Sequence, residues 1–159
     1  MCIRDSISGE LAGASVMASM NTDFAGGEMT MLGATYSVND DMNVVGSYTT
    51  YGDVAFSSAT GNMGVGTASW MTHGNMGYLG ANDENMSLGL TYNMGSINLG
   101  ATMHQITNSE NDDYERDVME ISLGYSLGEN AGLSLKYATD ATGDADEDKY
   151  MWLTLNVGL

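Results

Sequence analysis

Two histidines, His73 and His104, and a single cysteine, Cys2, are nearly all that this chain offers for acid–base or thiol chemistry. A hydrolase sets a serine or cysteine against a histidine and an acid, and no spacing here draws such a group together. Catalysis is not expected. The carboxylates are more numerous. Glu110, Asp112, Asp113, Glu115 and Asp117 make one cluster; Asp140, Asp144, Asp146, Glu147 and Asp148 make another. Such segments are either solvated loops or oxygen-rich ligands for Ca²⁺ or Mg²⁺. Asp144-x-Asp146-x-Asp148 begins like an EF-hand loop, but Lys149 stands where that loop needs Gly and Leu155 where it needs a bidentate Glu. It is not an EF-hand. No cofactor is expected, with loop-bound Ca²⁺ the one exception the acids would permit.

The composition narrows the partners. Four Lys+Arg stand against 21 Asp+Glu, for a formal charge of −17, which excludes nucleic acid as a partner because phosphate binding needs cationic side chains. Hydrophobic residues make up 43% of the chain, yet no run approaches the roughly 20 apolar residues of a membrane helix. Residues 1–8 stand apart. Met1 to Ser6 (MCIRDS) has no apolar core like that of a signal peptide and reads as an artefactual or truncated N-terminus. The segment of interest is then 9–159.

The elements that must position these residues are strands. From the C-terminus, Leu159, Val157, Leu155, Leu153 and Met151 share one face, and Gly158, Asn156, Thr154, Trp152 and Tyr150 the other. Alternation that runs to the last residue suits a strand apolar toward lipid and polar toward a lumen. About eight segments read this way, each near the 9–11 residues of a tilted membrane strand: 9–20, 28–38, 42–51, 86–94, 97–106, 118–127, 132–139 and 149–159. Helical spacing of three and four is absent. Short turns rich in Asn, Asp and Gly (Val38 to Met42, Asn93 to Ser96, Gly128 to Gly132) alternate with longer links. The longer links are Met20 to Gly27, Gly52 to Asn85, Thr107 to Asp117 and Asp140 to Asp148. The span Gly52 to Asn85 is long enough to fold into a pore, cap it, or hide a strand pair around Met63 to Trp70. Tyr36, Tyr92 and Tyr125 each fall on the apolar face just before a short turn, as in an interfacial aromatic girdle.

On this strand grammar, the acidic links and the closing strand Tyr150 to Leu159, residues 9–159 resemble the C-terminal half of a Gram-negative general porin. The resemblance implies an all-β, antiparallel up-and-down transmembrane barrel in the bacterial outer membrane. About eight strands would lie here, half of a sixteen-stranded barrel, and Met151 to Leu159 would pair with a first strand outside this chain. It also implies passive diffusion of small hydrophilic solutes, a homotrimer in the full-length protein, and contact with outer-membrane lipid and lipopolysaccharide. The barrel assembly machinery would read Met151 to Leu159; family members usually end in Phe, so Leu159 would weaken that recognition.

By parity, His104, Glu120 and Lys136 fall on the less apolar face, where charge is cheap, and would line the pore as isolated wall charges. That face is otherwise small and hydroxyl-rich (Thr35, Ser47, Ser87, Thr102, Ser122), as befits a wide hydrated lumen rather than a filled eight-stranded barrel. Carboxylates at the long-link mouth would concentrate cations there, predicting weak cation selectivity. The alternative is a small eight-stranded structural or adhesive barrel whose acidic loops bind ions.

Overall fold

The computed structural model describes residues 3–55 and 79–158. They form one all-antiparallel sheet of nine strands in sequence order, and no helix. The strands are β1 (Ile3–Leu11), β2 (Ala14–Thr22), β3 (Glu28–Ser37), β4 (Met42–Tyr51), β5 (Asp83–Met94), β6 (Ile97–Asn108), β7 (Asn111–Ser126), β8 (Ala131–Thr142) and β9 (Asp148–Val157). Each pairs only with its sequence neighbours, as an up-and-down barrel wall requires, although the sheet is open between β1 and β9.

Seven strands lie where the alternation puts them, several longer than expected. The first expectation needs correction. Residues 9–20 are not one strand but a hairpin, with Leu11 paired to Ala14 across Ala12-Gly13. The apolar phase breaks there: Ile7 and Leu11 are odd-numbered, whereas Val16, Ala18 and Met20 are even, and all five share the convex side through the register Ile7↔Ala18↔Leu32↔Tyr48. Residues Ile3 to Ser8, set aside as a terminal tail, lie within β1. Both turn residues have positive φ, +51° at Ala12 and +83° at Gly13, which matches the two-residue turn that suits strand twist. Gly13 adopts this freely, while Ala12 carries strain of about 1–2 kcal/mol. Replacing Ala12 with Asn, which tolerates the left-handed region, is expected to stabilise the intact protein by up to about 1 kcal/mol. A urea titration that shows no rise in midpoint would count against this turn.

The sheet has two unlike faces. The convex side exposes a continuous apolar surface, with Leu88 61%, Met151 71% and Leu153 69% accessible. A patch of this extent far exceeds what soluble monomers tolerate. Within the apolar zone, the concave side carries the hydroxyls, amides and charges. Its buried apolar side chains are Met29 and Met31 on β3 and a cluster of Leu79, Ile106, Val118 and Ala138 packed against Tyr51, Tyr114, Tyr150 and Trp152.

The turns sort by end. Residues 12–13, 38–41, 95–96 and 127–130 close one end; 23–27, 52–82, 109–110 and 143–147 close the other. The second set is less uniform than expected. The link after β6 is only Ser109-Glu110, because β6 and β7 continue as a ladder to the pairs Thr107↔Glu115 and Asn108↔Asn111. Of the long 52–85 link, Leu79 turns onto the concave face. Backbone bonds from Asn82 N to Gly52 O and from Ser109 N to Asn82 O, both 2.9 Å, fix its return. The strand pair considered around Met63 to Trp70, and His73, lie outside the described residues.

Candidate functional site

The concave wall is best followed along its hydrogen-bonded rows. One row runs Ser47↔Ser87↔His104↔Val118↔Asp140↔Asp148 from β4 to β9. The next, nearer the short turns, runs Val45↔Gly89↔Thr102↔Glu120↔Ala138↔Tyr150. A third ends Gly100↔Ser122↔Lys136↔Trp152. His104, Glu120 and Lys136 all stand on this face.

They are not isolated charges. Lys136 Nζ lies 3.8 Å from Glu120 Oε1, with the Glu side chain 6% and the Lys side chain 16% exposed. Glu120 and Lys136 occupy diagonal positions on neighbouring strands, within reach of long side chains. His104 is buried between Asn85 and Val118, its Nδ1 3.4 Å from Asn85 Nδ2. Nearer the long-link end lies a stronger pair that parity alone did not single out. Arg116 Nε donates to Asp140 Oδ1 at 2.7 Å and its terminal nitrogen to Oδ2 at 2.5 Å. This is the two-pronged guanidinium–carboxylate geometry. Tyr150 and Trp152 stack beside it, ring centroids 5.9 Å apart and planes 12° from parallel.

The acidic clusters separate by face. On β7, Asp113, Glu115 and Asp117 stand on the convex side of the ladder, Glu115 accepting from Gln105 Nε2 at 3.1 Å. Asp112 has inward parity, and Glu110 sits in the tight turn. This first cluster is therefore mostly a strand extension, not a loop. Of the second cluster only Asp144, Asp146 and Glu147 lie in a loop, with Glu147 paired to Lys149 at 3.4 Å, while Asp140 and Asp148 pair across β8 and β9. Asp146 and Asp148 line a recess of about 330 Å³ with Arg116, Asp140 and Tyr150. Among the described residues no three His, Cys, Asp or Glu side chains converge as metal ligands do. Tyr36, Tyr92 and Tyr125 all stand on the convex face, each within two residues of its strand's short-turn end.

A wall this polar on one side and this apolar on the other belongs between lipid and water. A family model for Gram-negative porins matches residues 6–157. The chain belongs to the Gram-negative porin family. Among curated proteins, none matches it. Membership places this porin in the bacterial outer membrane as a transport β-barrel and implies a channel. The match includes most of β1 and runs to the end of β9, so it spans every strand described. The signal that could have found Arg116 was available. Tyr114, Arg116 and Val118 continue the inward alternation of β7, but the acids between them read as a loop.

Proposed function

We propose that this porin lets small hydrophilic solutes and ions diffuse passively, with weak preference for cations set at the mouth rather than along the wall. The observation that carries the reading is the pairing of wall charges. Arg116 with Asp140 and Glu120 with Lys136 cancel in formal charge, so the wall presents little net field. The unbalanced charge is at the long-link end, where Asp144, Asp146 and Asp148 stand with few cations. A water-filled mouth lined by one sign of charge concentrates counter-ions. Association as a homotrimer, lipopolysaccharide bridged by divalent cations to the convex acids, and delivery by the barrel assembly machinery through Met151 to Leu159 belong to the same proposal. The exposed apolar row Met151, Leu153, Leu155 and Val157 supports the last.

Reversal potentials of the intact protein across a KCl gradient test the reading. Potassium is expected to pass more readily than chloride, and more so at low salt, since the screening length falls from about 10 Å at 0.1 M to about 3 Å at 1 M. Converting Asp144, Asp146 and Asp148 together to Asn should bring the potential closer to zero. The same change at Asp113, Glu115 and Asp117, on the outer face, should move it less. Chloride preference in the unaltered protein would overturn the proposal.

A further inference from the structure

The inner wall has two halves of different chemistry. On β7 and β8 it carries the ion pairs. Across β2 to β6 it forms a concavity of about 470 Å³ with an apolar share from Met17, Met31, Ala34 and Val45; among the described residues its polar lining is hydroxyl groups and one imidazole, with no carboxylate, lysine or arginine. Ser15, Thr35, Ser47, Ser87, Thr91 and Thr102, joined by Ser8 of β1, supply the hydroxyls. This size lies within the range of small-molecule sites, about 300–1,000 Å³.

Its local construction favours a ligand rich in hydroxyls. Ser47 and Ser87 face each other across β4 and β5 with their oxygens 2.6 Å apart. Each hydroxyl is both donor and acceptor, so the pair keeps bonding capacity toward the lumen. Glycines hold other hydroxyls flat against the wall. A Cβ on Gly89 would come within 3.0 Å of Thr102 Oγ1, and one on Gly100 within 2.6 Å of Ser122 Oγ. An ion would find no counter-charge in the concavity. A neutral polyol brings donors and acceptors in matched number.

We infer that the concave wall of β2 to β6 is a subsite for neutral polyhydroxylated solutes of mono- or disaccharide size. The inference rests on the diffusion-pore reading and adds a solute class to it. The intact protein in planar bilayers tests both. Ionic conductance comes first, and its absence would overturn the pore reading itself. In conducting channels, sucrose should block current more strongly than an ethylene-glycol oligomer of similar size, which has few hydroxyls. Replacing Ser47 and Ser87 together with Ala should weaken sucrose block about fivefold to tenfold, the loss expected for one hydrogen bond or slightly more. The oligomer's effect should not change. Gly89→Val, which fills the wall beside Thr102, should weaken sucrose block as well. Should that variant fail to fold, the serine pair, which only removes oxygens, still decides. Sucrose block equal to that of the oligomer, or undiminished in the double serine variant, would overturn the subsite.

Discussion

Arginine in place of Leu88 is expected to destabilise the intact barrel by about 2–4 kcal/mol, the cost of a cation at the bilayer midplane. Leu88 is near the middle of β5, 61% exposed on the convex face, with Gly46 and Met103 as cross-strand neighbours. None of these can take a guanidinium hydrogen bond from its side chain, so the charge has only hydrocarbon or a long climb to the interface. Three residues on, Thr91 has the opposite parity. Its neighbours are Asn43 and Gly100, it is exposed on the concave side, and Arg there keeps its water. Thr91→Arg should cost less than about 1 kcal/mol while shifting the reversal potential toward anions. Unfolding in urea from detergent micelles gives the first comparison and bilayer recordings the second. Equal destabilisation at both positions would mean that the two faces do not see different solvents.

That contrast also explains what could be read from residues alone. Period-two alternation is written directly into Met86, Leu88, Leu90 and Tyr92, because each side chain has one solvent and the solvents differ. The reading weakens wherever both faces meet water. Residues 111–117 extend β7 as a ladder beyond the apolar zone, yet Asp113, Glu115 and Asp117 have the composition of a loop. The first hairpin failed for another reason. Ala12-Gly13 lacks the Asn-Gly or Asp-Gly pair that announces a two-residue turn, and only the odd-to-even change between Leu11 and Val16 marks it. Parity put His104, Glu120 and Lys136 on the right face but could not say what stood beside them. Pairing depends on register, and the register between β7 and β8 is set by turns and neighbours across the sheet. The Glu120–Lys136 contact became visible only with the alignments Thr102↔Glu120↔Ala138 and Ser122↔Lys136. Arg116 and Asp140 are 24 positions apart in sequence and meet for the same reason.

The Arg116–Asp140 pair should be the least tolerant of half-removal. The two side chains are 14% and 9% exposed, and Asp148 stands directly across from Asp140 in the register. Taking away Arg116 leaves the buried Asp140 carboxylate facing that of Asp148 with no cation between them. Breaking a fully buried pair costs about 3–5 kcal/mol; the exposure of Asp146 and Asp148 at the rim of this recess brings the expected cost below that range, to about 2–3 kcal/mol for Arg116→Met. Removing the acid is gentler. In Asp140→Asn the guanidinium can turn toward Asp146 or Asp148, which line the same recess, and the cost should stay near 1 kcal/mol. With both changes made, no charge is stranded, and stability should return to within about 1 kcal/mol of the unaltered protein. The order Arg116→Met worst, Asp140→Asn milder and the double variant recovered is read by urea midpoints. Reversal potentials give an independent check. Arg116→Met deletes the cation that offsets the mouth carboxylates and should increase potassium preference, whereas Asp140→Asn should reduce it. Equal penalties for the two single changes, with no recovery in the double, would mean the pair is not what holds the acidic mouth together.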